Sequence, residues 1–287
     1  MKIALSGASG SIGTLLKKYL AEKHKISTIS FRKELNHIKK LDLRNDVFIH
    51  LASLNAKLIT ENDRLLELDI AKRAFEYCNK NKIGSLIFFS TSQVYGTRSI
   101  NDEAFKETDP SPCTSIYSIA KLDCEVYLTQ ECKKNNINLI ILRSCPFIDL
   151  ESNSKIALLG KLAKNFKLSI EFSKASTNIR SFLTKKNLFL IIDGVLNLIE
   201  NSNSPIFEKL NIGDKNLIST NEIVNVISKA HSVKPLRVGV PKIFEIIASK
   251  MPVINNLYRN LTSNHAVDIN RAEKILGIKI LHTKQSI

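Results

Sequence analysis

No two of the five cysteines (Cys78, Cys113, Cys124, Cys132 and Cys145) are spaced as a CxxC pair. An odd number without such spacing argues against a disulfide framework and a zinc site, and it suits a reducing compartment. The six histidines show no metal-ligand spacing either, so no metal is expected. Nowhere do more than two Lys or Arg residues adjoin, although the formal net charge is +15. A basic stripe for nucleic acid is therefore missing, and the diffuse positive field suits an anionic small molecule such as a nucleotide diphosphate. Apolar runs are short as well. The stretch after Met1 is too brief for a signal peptide. Residues 188–199 are interrupted by Asp193, Gly194 and Asn197, so they read as a buried helix rather than a membrane span. A cytoplasmic protein is expected, and no internal repeat is visible.

What is present is apolar material, 44% of 287 residues, enough to bury a sizeable core. Residues 3–6, 26–31, 47–52, 86–90 and 139–142 read as strands. Residues 12–22, 62–81 and 115–135 read as helices. Strands alternating with helices predict a doubly wound, Rossmann-type α/β domain with a parallel sheet over residues 1–150. Past Asp149 strands become scarce and polar loops join helical segments. Residues 151–287 are therefore expected to form a smaller, mostly helical substrate domain, with part of 183–215 packing back on the first. Residues 211–213 read as a short strand and turn, and 220–229 as a helix capped by Ser219 or Thr220 with Glu222 near its start.

The first chemical motif is Gly7-Ala8-Ser9-Gly10-Ser11-Ile12-Gly13, between a strand and a helix. Glycines there permit a tight turn and close approach of a pyrophosphate, which the helix N-terminus attracts. Gly7, Ser9, Gly10, Ser11, Ile12 and Gly13 are the expected dinucleotide contacts, joined by Leu51, Ala52 and Ser53 at the end of a later strand. His50 before them reads as a packed histidine. The second strand ends in Phe31-Arg32-Lys33 with no acid to accept from a ribose 2′-hydroxyl. Arg32 could pair with a 2′-phosphate, which favours NADP slightly over NAD.

The second motif is Tyr117-Ser118-Ile119-Ala120-Lys121, which sets a phenol and an ammonium one helical turn apart. Hydride transfer at a carbinol carbon needs a proton moved at the oxygen, and a neighbouring ammonium should lower the phenol's pKa for that task. Tyr19 and Lys23 repeat the spacing in the first helix, where they should face solvent, and read as a chance match. Tyr117 differs in context. A central strand about twenty residues upstream ends in Ser90-Thr91-Ser92-Gln93-Val94-Tyr95-Gly96, so Thr91 would sit where α/β sheets bind ligands.

In order and spacing, the glycine turn, this Ser-Thr run, the Tyr/Lys pair and Leu142-Arg143 resemble the extended short-chain dehydrogenase/reductases. The likeness is to the NAD-dependent epimerase/dehydratase family acting on nucleotide sugars. The resemblance covers nearly the whole chain and extends to 178–182, 211–213 and 267–277. It implies that Thr91, Tyr117 and Lys121 are catalytic, with Tyr117 as acid/base and Lys121 also reaching the cofactor's ribose. It implies that Ser92, Gln93 and Arg180 meet substrate, Arg180 at the nucleotide phosphates. It further implies an NAD(P)-dependent 4-epimerase or 4-ketoreductase of surface-polysaccharide precursor synthesis, with homodimers possible.

The departures are informative. Dehydratases carry Asp-Glu where Ser92-Gln93 stand, which argues against dehydration. Asp69 and Lys72-Arg73 replace the family's Asn and Gly-Thr, so cofactor-helix packing should differ. The segment before Asp46 is short enough to abbreviate a strand. Ser144 to Ile148 replace the usual signature after Arg143. The abbreviated strand and Asp69 keep open a rival reading, a non-catalytic dinucleotide sensor or scaffold on the same fold.

Overall fold

The computed structural model describes residues 1–31, 46–54, 60–96, 103–148, 165–171, 177–230, 232–240 and 262–286. Its centre is a six-stranded sheet, every pair parallel. In chain order the strands are β1 (Lys2–Ser6), β2 (Lys25–Ile29), β3 (Val47–His50), β4 (Ser85–Thr91), β5 (Asn138–Ser144) and β7 (Phe207–Ile212). Their spatial order is β2-β1-β3-β4-β5-β7. The order reverses at β1, which leaves a crevice at the carboxyl ends of β1 and β3.

Five helices frame this sheet, α1 (Ser11–Ala21), α2 (Glu61–Lys80), α3 (Ile116–Lys134), α4 (Lys185–Asn201) and α6 (Asn270–Leu276), while α5 (Thr220–Ala230) packs in a separate cluster with Ile148, Phe182 and Ile218. Strand alternation divides the core between two faces. Ile3, Leu5, Val47, Ile49, Ile87, Phe89, Ile140 and Leu142 point to the face covered by α1, α4 and α6. Ala4, Phe48, Leu86, Phe88, Leu139 and Ile141 point to the face covered by α2 and α3. Burial on both faces explains why these strands read as continuous apolar runs.

Several expectations need adjusting. β3 ends at His50, so Leu51, Ala52 and Ser53 form a loop rather than the end of a strand. The short strand expected at 211–213 is the end of β7, a full member of the main sheet. A second, two-stranded parallel sheet pairs β6 (Leu168–Glu171) with β8 (Leu236–Gly239), which the polar C-terminal pattern did not signal. Ser219 caps α5, its hydroxyl accepting from Glu222 N at 3.1 Å, while Thr220 is engaged with Asn178. The expected abbreviated strand and Arg32 both fall in 32–45, outside the described residues. All five cysteines are thiols without a disulfide. Among the described residues no helix is long and apolar enough to cross a membrane, and no metal-ligand cluster occurs.

Candidate active site

The glycine turn sits in the β1/β3 crevice. Gly7 has φ +70°, and a Cβ there would lie 2.7 Å from the backbone of Leu51 and Ala52. A Cβ on Gly13 would lie 2.1 Å from Gly7 O, so α1 can start this close to β1 only with glycine. Gly10 meets no such protein contact, its nearest atom being Gly7 O at 3.4 Å. Gly10 also caps α1 without any side-chain hydrogen bond. Ser9, Gly10 and Ser11 are exposed, while Ile12 is half-buried. The positive end of the helix therefore opens outward beside Leu51, Ala52 and Ser53, a cradle that fits a dinucleotide's phosphates.

Behind the cradle, His50 is buried against Phe31, Phe48 and Phe88 and bonded to Ser6 Oγ at 2.7 Å. Burial lowers its pKa to about 3, so it is a neutral packed residue, as expected.

One strand further along the same sheet edge, Thr91 ends β4. It is buried, and its hydroxyl accepts from Gln93 N at 3.2 Å, which starts the 3-10 turn Ser92–Tyr95. α3 begins opposite. Its first turn is fixed by a reciprocal cap: Ser115 Oγ accepts from Ser118 N, and Ser118 Oγ accepts from Ser115 N. That sets Tyr117 and Lys121 on the helix face turned toward β4. The Tyr117 phenol hydrogen-bonds Thr91 and lies within the field of Lys121. The Lys121 ammonium donates to Phe89 O at 3.2 Å and lies 4.8 Å from the centre of the Phe88 ring. Thr91, Tyr117 and Lys121 thus form one cluster beside the cradle.

The electrostatics differ from the simple expectation. Lys121 is paired with Glu67 Oε1 at 3.0 Å, with side-chain exposures of only 4% and 2%. Burial raises the Tyr117 pKa, Lys121 opposes that, Glu67 adds to the rise, and the Thr91 hydrogen bond lowers it. The net direction is upward, a correction to the expected lowering, because burial of the phenol outweighs the ammonium and the Glu67 carboxylate adds to the rise. Burial disfavours the charged Lys121, but Glu67 and then Tyr117 outweigh that and hold its pKa above the ordinary value.

Glu67 went unnoticed in the sequence. On α2 it is Asp69 that stood out, yet Asp69 lies on the partly exposed flank, paired with Arg73 at 2.7 Å. The carboxylate that reaches the site is two residues earlier. The decoy pair also resolves. Tyr19 and Lys23 do not simply face solvent: both bind Asp193 of α4, at 2.5 and 3.0 Å, and Tyr19 stacks on Phe189. They join two helices, away from the cluster.

The other expected contacts divide. Gln93 is exposed, whereas Ser92 is fully buried with its hydroxyl 2.9 Å from His265 Nε2. His265 Nδ1 lies 2.8 Å from Gly96 O, so the histidine ties the C-terminal segment to the Thr91 turn. Nothing at position 265 distinguished it in the sequence, since its partners lie about 170 residues away. Arg180 is buried next to His265 and donates to Ser263 O at 3.0 Å. Burial lowers its pKa to about 10. Among the described residues no carboxylate pairs with Arg180, which leaves a cation buried without a counter-charge.

Solved structures share this fold over the whole chain. A UDP-glucuronic acid 4-epimerase from Bacillus cereus in complex with NAD is 20% identical, with a TM-score of 0.76 over 100% of this chain and 93% of that one. A UDP-N-acetylglucosamine 4-epimerase from Bacillus cereus is 16% identical, with a TM-score of 0.76 over 100% and 96%. A UDP-glucose 4-epimerase from Thermotoga maritima is 15% identical, with a TM-score of 0.74 over 100% and 96%. No curated protein sequence matches the chain significantly. The NAD dependent epimerase/dehydratase family model matches residues 3–213, more than half the chain. Together with the glycine cradle on a parallel sheet, that match makes the chain a member of the NAD dependent epimerase/dehydratase family.

Proposed function

We propose that the protein is an NAD(P)-dependent 4-epimerase of a nucleotide-diphosphate sugar. The observation that carries this reading is the cluster of Thr91, Tyr117 and Lys121 at the carboxyl end of β4, beside the cradle of Gly7, Gly10 and Gly13. The resemblance to 4-epimerase structures supports it.

A bound dinucleotide supplies the hydride acceptor and donor. The cradle of Gly7 to Gly13 holds its phosphates, and Leu51, Ala52 and Ser53 form the wall beside it. Tyr117 takes the proton from the sugar hydroxyl and later returns it. Thr91 orients that oxygen through its hydroxyl. Lys121 stabilises the phenolate and holds the ribose. Arg180, a buried cation without a carboxylate partner among the described residues, meets the sugar nucleotide's phosphates, and Gln93 lies near the sugar. Ser92 acts from behind, through His265. The lack of an acid at residues 92 and 93 stands against dehydration.

A second reading is supported by Arg32-Lys33. Those residues favour NADP and a 4-ketoreductase using the same three groups. Either activity would serve surface-polysaccharide precursor synthesis in the cytoplasm. The partner proposed for α2 and α3 is a second copy of the chain. Leu65, Leu66 and Val126 are exposed there at 60%, 48% and 51%, ringed by the mixed charges of Glu61, Arg64 and Asp123.

The test is turnover with a panel of UDP-sugars and their 4-keto forms, with NAD or NADPH. Epimerisation with NAD is expected. Tyr117→Phe should abolish turnover and leave dinucleotide binding intact. Activity that survives Tyr117→Phe overturns the assignment, and binding without turnover on any substrate favours the sensor reading.

A further inference from the structure

We propose that Glu67 is a positioning residue for this reaction, a buried carboxylate that clamps Lys121 to the wall of the cofactor cradle and offsets its charge beside Tyr117. The inference rests on the function proposed above.

The geometry is a two-handed bridge. Glu67 Oε1 accepts from the Lys121 ammonium at 3.0 Å, and Oε2 accepts from Leu54 N at 2.8 Å. Leu54 follows Leu51, Ala52 and Ser53 in the cradle wall. One side chain thereby ties the catalytic helix α3 to the loop after β3, across a sequence separation that α2 spans. The surroundings hold it rigidly. Arg64 of α2 and Asp123 of α3 pair at 2.6 Å, and Cys124 of α3 donates to Glu67 O at 3.7 Å. Phe89 O also accepts from Lys121, at 3.2 Å, so the ammonium is fixed in place beside the cradle.

The charge balance follows from who faces the ammonium. From α2 the group is Glu67. From α3 they are Tyr117 and Cys124, the latter a thiol whose pKa burial pushes up to about 12. From β3 it is His50, neutral because burial keeps its pKa near 3. β4 contributes no titratable group, only Thr91, Phe88 and Phe89. Glu67 is therefore the one carboxylate among these neighbours in the described residues. With it in place the ammonium is compensated, and the phenol gains less from Lys121 than an uncompensated cation would give. A carboxylate here makes Tyr117 a weaker acid, which moves the pH range of catalysis upward.

The experiment is Glu67→Gln with two readouts. The first is the pH profile of kcat for the panel's active substrate. Removing the negative charge lets Lys121 act fully on the phenol, so the acid limb should move to lower pH by about one unit. The alkaline limb moves the same way, because Lys121 loses the partner that holds its proton. The second is the phenolate absorbance of the cofactor-free protein during titration, with the Tyr117→Phe protein as background. The Tyr117 transition should move to lower pH in step. Glu67→Asp keeps the charge but draws it back by one methylene. It should fold if the amide does not, and shift both readouts in the same direction by less. A purely structural Glu67 would lower stability and leave limbs and transition unmoved in both variants, which overturns the inference. If the wild-type protein turns over no nucleotide sugar, the proposed function fails, and the phenolate titration still decides the role of Glu67.

Discussion

Two buried ion pairs hang from the same helix, one turn apart on α3, and they differ in kind. Lys121 meets Glu67 from α2. Glu125 meets Arg143 from β5 in a forked pair, with Nη2 to Oε2 at 2.7 Å and Nε to Oε1 at 3.0 Å. Around the second pair the neighbouring side chains are committed, although Arg143 Nη1 has no hydrogen-bond partner among the described residues. Ser90 donates to Glu125 at 2.5 Å, the Arg143 guanidinium sits 4.8 Å from the Tyr95 ring, and Tyr95 donates to Asn211 at 2.8 Å. Arg143 cannot release its proton and serves as a rivet between α3, β4, β5 and β7. The first pair uses a lysine, whose charge is adjustable, and places it against a phenol that can also titrate. The same cost of burying charge is met twice, once for rigidity and once at the proposed site of proton transfer.

The largest effects should come from dismantling the pairs. Lys121→Met should lower turnover by about a hundredfold or more and also destabilise the fold, since Glu67 is left buried alone. Arg143→Met should destabilise by about 3–5 kcal/mol through the stranded Glu125. The double changes separate the two cases. Lys121→Met with Glu67→Gln should recover stability without activity, whereas Arg143→Met with Glu125→Gln should recover both. Denaturant melts alongside turnover measure this. Recovery of activity in the first double variant would erase the distinction.

A smaller effect comes from His265, whose pKa is lowered to about 4 by burial, then by the charge of Arg180, against the Gly96 carbonyl. In the unfolded chain the ordinary value applies, so the unfolded state takes up a proton first. The stability due to the neutral ring is complete above about pH 6.5 and is lost as pH falls toward about 4, on the order of 2–3 kcal/mol. Thermal melts of His265→Gln across that window should be flatter than the wild type's. His50 continues the same loss to lower pH in both proteins. An unchanged slope would mean that the His265 ring is not held neutral.

The smallest effect should come from the decoy pair. Tyr19→Phe keeps the stack on Phe189 and loses two hydrogen bonds, one donated to Asp193 and one accepted from the exposed Lys23, about 1–2 kcal/mol together. Turnover should not change. If turnover fell as it does for Lys121→Met, the two Tyr/Lys pairs would not be distinct in function.

Local pattern was enough for the α/β alternation, the glycine turn and the setting of Tyr117 and Lys121 one helical turn apart. Each depends on neighbours close in the chain: short apolar runs alternating with helical spacing, a backbone at Gly13 forced close to Gly7, and a helical turn between phenol and ammonium. It also marked His50 as packing. Tertiary structure alone decided which acid on α2 reaches Lys121. Glu61, Asp63, Glu67 and Asp69 look alike along one helix, and the choice depends on how α2 turns against α3. The same is true of His265 on Ser92 and of the burial of Arg180, which depend on segments far apart in the chain. The direction of the Tyr117 shift belongs here as well. Desolvation and the field of a distant carboxylate are sums over three-dimensional neighbours, and spacing within one helix carries no record of them.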